Sequence, residues 1–219
     1  MSSRRLPTVL LLSLLALWLR APASGEGLEV WNTTEVVAVE SGRFGWSLFG
    51  AVRTRSRFTH AYDFRAGSQL GVKFGSRFSL AGGYLRRRLD PTGRSAHWEH
   101  RVYGSPAVLL ASRPLQIKWT TIIERNFGIP NAPAYSRYRP RLDFEKRRKG
   151  FSPFLAEEFT FRREGFVRSR SAAGIRWRSE SGVTVEVAYQ FDTAKSGNAW
   201  IPRHAIRTVL SFGLPFNHH

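Results

Sequence analysis

Cysteine is absent from the 219 residues, which excludes a disulfide framework and any thiolate metal site. Acidic residues are scarce. Only 16 Asp and Glu stand against 34 Lys and Arg, for a formal net charge of +18, so the chain needs an anionic partner or surrounding. Beyond residue 20 there is no long apolar run and no sustained helical stripe, which excludes a helical bundle and a second membrane helix. A G-x-x-x-x-G-K phosphate loop and a G-x-S-x-G nucleophile elbow are also missing.

The one long apolar run opens the chain. "LPTVLLLSLLALWL" (6–19) follows Arg4 and Arg5 and precedes Arg20 and "APASG", where Ala21 and Ala23 fit an A-x-A cleavage site. It is shorter than the roughly 20 residues of a spanning helix. The twin arginine of "SRRLP" lacks the rest of a folded-export signal. Residues 1–23 therefore read as a signal peptide for ordinary secretion, and 24–219 as one domain. Loss of Arg4, Arg5 and Arg20 lowers the charge by three and leaves +15. For an exported chain this balance points to lipid phosphates, lipopolysaccharide included, rather than nucleic acid.

What fills the remainder is alternation. "LQIKWTTIIER" sets Leu115, Ile117, Trp119, Thr121 and Ile123 against Gln116, Lys118, Thr120 and Glu124, with Ile122 the one misfit. "VTVEVAYQF" sets Val183, Val185, Val187, Tyr189 and Phe191 against Thr184, Glu186, Ala188 and Gln190. Period two means strands with one wet and one apolar face. Candidate strands fall near 30–40, 44–56, 61–75, 77–88, 96–111, 114–126, 134–147, 151–162, 166–178, 182–191 and 203–214. Connections at 75–77, 112–114 and 179–182 read as tight, and those at 89–96, 126–134 and 192–202 as long, the asymmetry of a transmembrane barrel. This count is odd, whereas single-chain bacterial barrels are even, so the pattern predicts ten to twelve strands in an up-and-down antiparallel transmembrane β-barrel.

A soluble sandwich also alternates. The barrel is favoured by the secretion signal, by strand length, and by aromatic residues near strand ends: Trp46, Phe74, Phe78, Trp98, Tyr135, Phe166, Trp177 and Tyr189 suit two interfacial girdles. Charge repeats strand after strand on the other face. Glu99, Arg101, Glu124, Arg137, Arg139, Arg141, Glu145, Glu158, Arg168, Arg170 and Arg176 form the expected lumen lining, where Arg–carboxylate forks are favoured over unpaired charges. Pro140 counts against a fully paired strand and marks a bulge or rim. The chain closes on an alternating strand ending in Phe216, the aromatic end that outer-membrane insertion machinery reads.

The elements "EHR" (99–101), "RYRPRL" (137–142), "FLAEEF" (154–159), "RSAAGIRW" (170–177) and "HAIRTVLSF" (204–212), in this order, resemble a family of bacterial outer-membrane proteins catalogued only as a domain of unknown function. The resemblance covers about residues 30–216. It implies a small barrel in the outer membrane and carries no activity, so no catalytic residue is transferred; the arginine excess departs from the family's pattern.

Catalysis of the lipid-modifying kind would need a Ser–His pair at the rim, with His97, His100 and His204 and Ser95 or Ser105 as the candidates. His97 and His100 are three apart, opposite faces of a strand, which argues against a metal site. The basic clusters "LRRRLD" (85–90) and "EKRRKG" (145–150) read as contacts to lipid phosphates. Cofactors are not implied, and the chain reads as a monomer. The expected function is structural, or that of a narrow anion-preferring channel. The alternatives are a lipid-modifying barrel enzyme and a soluble basic periplasmic β-protein.

Overall fold

The computed structural model describes residues 28–55, 60–90, 95–148, 150–180 and 182–213. The expected signal peptide and Phe216 lie outside these residues. Eleven strands follow in chain order: β1 (Glu29–Ser41), β2 (Phe44–Arg55), β3 (His60–Phe74), β4 (Phe78–Leu89), β5 (His97–Ala111), β6 (Gln116–Phe127), β7 (Tyr135–Glu145), β8 (Phe151–Arg162), β9 (Gly165–Arg178), β10 (Thr184–Ser196) and β11 (Ala199–Gly213). Each pairs with its sequence neighbours, and β1 closes on β11, so the sheet is a barrel without free edges.

The odd count resolves at the closure. Ten pairs are antiparallel, but an odd meander brings its first and last strands together in the same direction. β1 and β11 are accordingly parallel, from Glu29↔Ala205 to Val37↔Gly213. The start of β1 and the end of β11 therefore lie at opposite mouths. We call the mouth where β1 starts the upper one.

One connection differs from expectation. Residues 192–202 do not form a long loop: β10 runs to Ser196, β11 starts at Ala199, and Gly197 turns the chain at φ 61°. Gly197 and Pro202 suggested a loop, but β1 pairs with β11 only from Ala205 onward, so Pro202 has a strand on one side only and its missing N–H costs no second ladder. The same rule places the other strand prolines. Pro140 and Pro106 fall in gaps of the β7–β8 and β5–β6 registers, and Pro153 lies beyond the last β7 partner of β8, which is Phe154.

Burial inverts the usual arrangement of a globular protein. The buried residues are mainly polar or charged, among them Asp63, Glu99, Glu124, Asn126, Glu158, Gln190 and Asp192, while Leu70, Ile123, Phe151 and Ile175 are more than half exposed. The outward aromatics form two belts: Trp98, Phe127, Tyr138, Phe161, Phe166 and Trp200 near the upper mouth, and Phe44, Trp46, Phe74, Phe78 and Phe151 near the lower one. Between the belts stand Leu48, Leu80, Val102, Ile123, Leu142, Ile175 and Val187. Of the residues expected in girdles, Tyr135 differs. It shares the face of Arg137, and the guanidiniums of Arg137 and Arg162 lie 5.7 and 4.6 Å from its ring.

Tight curvature needs glycine on the inner face. A Cβ on Gly67 would meet the Phe49 ring at 2.4 Å, and one on Gly83 would meet the Tyr103 ring at 2.5 Å. The two aromatic rings cover the bare backbone and fill the interior between β2 and β5.

Candidate functional site

Alternation decides which side chains enter the lumen, and register decides which of them meet. On β7, Arg137, Arg139 and Arg141 share the inner face with Asp143 and Glu145. Their β6 partners are Glu124, Ile122, Thr120, Lys118 and Gln116. Ile122, the apolar misfit in the polar face, does point inward with that face, and with Leu85 and Tyr103 it lines an apolar side of the lumen.

The upper storey is built around four carboxylates. Glu124 takes Arg101 at 3.2 Å, Arg139 at 3.3 Å, and Arg137. Beside it Asn126 accepts from Arg101 at 2.8 Å and Arg137 at 3.3 Å. Glu158 receives a two-point fork from Arg139 and a third bond, at 3.2 Å, from Arg170. Asp192 faces Arg168 at 3.2 Å and Arg170 at 3.3 Å. Asp63, fully buried, is forked by Arg65 and by Arg87, with Arg53 at 3.6 Å. Arg87 also reaches Glu99 at 3.1 Å.

The lower storey repeats the device. Glu145 binds Arg178 at 2.5 and 3.0 Å and also Arg176, two strands away. Glu186 binds Arg176 at 2.5 Å and also Arg207. Arg141 and Asp143 pair along their own strand at 2.5 Å. Glu124, Glu158 and Glu186 each sit between arginines of the two flanking strands, so these ion pairs tie strand to strand around the wall. The wall is also bridged across the lumen: Arg53 of β2 and Arg170 of β9 lie 3.6 and 5.3 Å from the ring of Trp31 on β1.

All eleven residues named from the sequence as lumen candidates take part in these networks. Sequence reasoning missed Arg53, Asp63, Arg65, Arg87, Asp192 and Arg207. A signal was present for some, since "YDFRA" alternates Asp63 and Arg65 around Phe64. Arg87 was read as part of a lipid-facing cluster; it turns inward to Asp63, while Arg86 faces out over Trp98 at 4.1 Å. Likewise Glu145 of the second basic cluster is an inward acid.

Among the described residues the three candidate histidines meet no serine hydroxyl, although His97 Nδ1 lies 3.5 Å from the Ser95 carbonyl oxygen. His100 bonds the Tyr84 hydroxyl at 2.5 Å and stacks on Phe127. His204 bonds the Tyr189 hydroxyl, and His97 reaches Glu99 at 3.4 Å. Ser105 pairs in register with Ala81 on β4.

Cavities interrupt the packed charge. At the upper mouth a basin of about 510 Å³ is lined by Arg137, Arg162, Arg168, Lys195 and Arg203, with Glu164 the one acid. Deeper lies a chamber of about 180 Å³, bounded by Trp31, Ala51, Arg53, Arg65, Arg139, Arg141, Ala156, Glu158, Arg170, Ala172, Gln190 and Arg207, among others.

With the inner face of this barrel established, the family match has a physical meaning. Residues 28–201 match a family described only as a protein of unknown function, DUF2490. The chain belongs to that family. The matched segment runs from the start of β1 into β11 and so contains nearly every strand of this DUF2490 barrel. No curated protein and no solved structure matches the chain.

Proposed function

We propose that this DUF2490 barrel resides in the bacterial outer membrane, with its aromatic belts at the two interfaces and its lumen closed to free diffusion by a brace of Arg–carboxylate pairs. The observation that carries this reading is the outer surface: aliphatic side chains banded between two aromatic belts have no purpose in water, and they suit a hydrocarbon layer flanked by headgroups. Strands of 11 to 15 residues reach or exceed the roughly 9–11 that a tilted crossing needs.

The brace supports a structural role over a channel. Barrels of about eight strands are filled by side chains, and those of sixteen or more hold water; eleven lies near the filled end, and large arginines occupy the difference. A second reading, a narrow anion-preferring pore, draws on the basic basin at the upper mouth, since rings of Arg attract anions. The experiment is conductance of the refolded protein in a planar bilayer under a salt gradient, with Arg137, Arg139 and Arg141 changed together to Gln. Silence in the wild type supports the closed brace. Steady anion-selective current that weakens in the triple variant overturns it in favour of the pore.

A further inference from the structure

The central chamber has a charge pattern that bracing does not explain. Six arginines face it, namely Arg53, Arg65, Arg139, Arg141, Arg170 and Arg207, against the single carboxylate of Glu158. The other acids that pair with these arginines (Asp63, Glu124, Asp143, Glu186 and Asp192) do not line it. The cations therefore stand at the surface of the chamber with much of their countercharge set back from it elsewhere in the lumen. Arg207 gives Nη2 to Glu186 and keeps a buried Nε without a partner among the described residues.

Gln190 carries the argument further. It is 2 % exposed and lines the same chamber, and its Nε2 has no hydrogen-bond partner among the described residues. A buried amide donor left unmade costs free energy. Here it joins the guanidinium Nε of Arg207, also unmet, and both residues bound one space. Donors without acceptors around a cavity of this size describe the complement of an acceptor-rich anion. Guanidinium forks match the paired oxygens of phosphate.

We propose that the chamber is a binding site for a small tetrahedral oxyanion of the phosphate class, held by the arginine cluster with Gln190 and Arg207 supplying the donors that the protein itself leaves unmet. The basic basin at the upper mouth, with Arg137, Arg168 and Arg203, gathers the anion on the same side of the barrel. The site belongs to the barrel interior and does not depend on whether the lumen conducts.

The test uses inorganic phosphate with the refolded full chain in detergent micelles, at matched ionic strength in chloride. Phosphate is expected to raise the unfolding temperature with the logarithm of its concentration above Kd, because a ligand bound only by the folded state stabilises it by RT ln(1 + [L]/Kd). Gln190→Glu places a carboxylate where the anion would sit. It is expected to raise the unfolding temperature without phosphate and to abolish the phosphate increment. Arg207→Gln is expected to weaken phosphate binding at least tenfold by calorimetry and serves if Gln190→Glu does not fold. A wild-type increment no larger than that of chloride, or one retained in both variants, overturns the proposal. Conductance decides the closed-lumen reading separately, so the two can fail independently.

Discussion

Arg139 on β7 grips Glu158 on β8 at two points, Nε to Oε1 at 3.2 Å and Nη2 to Oε2 at 2.7 Å, and its other terminal nitrogen reaches Glu124 on β6 at 3.3 Å. One guanidinium thus spans three neighbouring strands. Removing one partner of a buried pair leaves an uncompensated charge and costs about 3–5 kcal/mol. Arg139→Met and Glu158→Leu are each expected to lose that much in denaturant unfolding from micelles. The double variant should lose clearly less than the two together, because it removes both charges of the pair. Strictly additive losses would mean that the fork contributes nothing to the wall.

How much of this was legible in the sequence depends on the side-chain class. Charged residues that alternate with apolar ones along a strand favour the lumen of a barrel, so Arg137, Arg139 and Arg141 could be assigned from period two, whereas Arg86, within a run of three arginines, faces outward over Trp98. Apolar residues have two plausible directions. Ile122, Leu85 and Phe49 pack inside the lumen and carry the same signal as the outward Ile123 and Leu80, which is why Ile122 broke the expected pattern. Strand count was legible only as a range, because parity depends on how the barrel closes, and closure is a contact between residues about 176 apart, as in the bond from Thr208 to Asn32. The site was partly hidden for a related reason. Asp63 acquires its meaning from Arg53 and Arg87 on neighbouring strands, which only register brings to it.

Glycine on the inner wall offers a sharper check of curvature. A Cβ at Gly174 would stand 2.2 Å from the Val187 carbonyl oxygen and 2.7 Å from the Ala188 Cα, both backbone atoms that cannot swing aside, whereas Gly104 has nothing within 4 Å. Gly174→Ala is expected to destabilise the barrel by about 1–3 kcal/mol through overpacking, and Gly104→Ala to leave it unchanged. Thermal unfolding followed by circular dichroism distinguishes them. Equal behaviour would mean that β9 and β10 do not approach as closely as described.

The parallel seam can be tested by chemistry that the chain otherwise lacks. Asn32 and Thr208 are register partners across β1 and β11, and there are no cysteines to compete. Asn32→Cys with Thr208→Cys should oxidise readily to an intramolecular disulfide, since partners on adjacent strands lie within the about 4.4–6.8 Å that a bridge tolerates. Asn32→Cys with Leu210→Cys, two residues out of register, should oxidise far more slowly. Comparable rates would indicate a slipping seam, and no cross-link in the first pair would rule out closure between these strands.

Ile123 supplies the test that separates a membrane barrel from a soluble one. It projects from β6 between the aromatic belts and is 54 % exposed. On a water-exposed sheet, arginine at such a site changes stability by roughly 0.5 kcal/mol or less, in line with other surface substitutions. On a lipid-facing strand near the bilayer midplane the same change costs about 2–4 kcal/mol. Ile123→Arg, measured by reversible unfolding from phospholipid vesicles, is therefore expected to fall in the higher range. A charge nearer an aromatic belt, at Phe127→Arg, should cost about 0–1 kcal/mol. The outcome turns on the gradient between the two positions. A steep fall from Ile123 to Phe127 is the signature of a hydrocarbon core around the barrel, and flat, near-zero values at both would place this surface in water and overturn the outer-membrane reading.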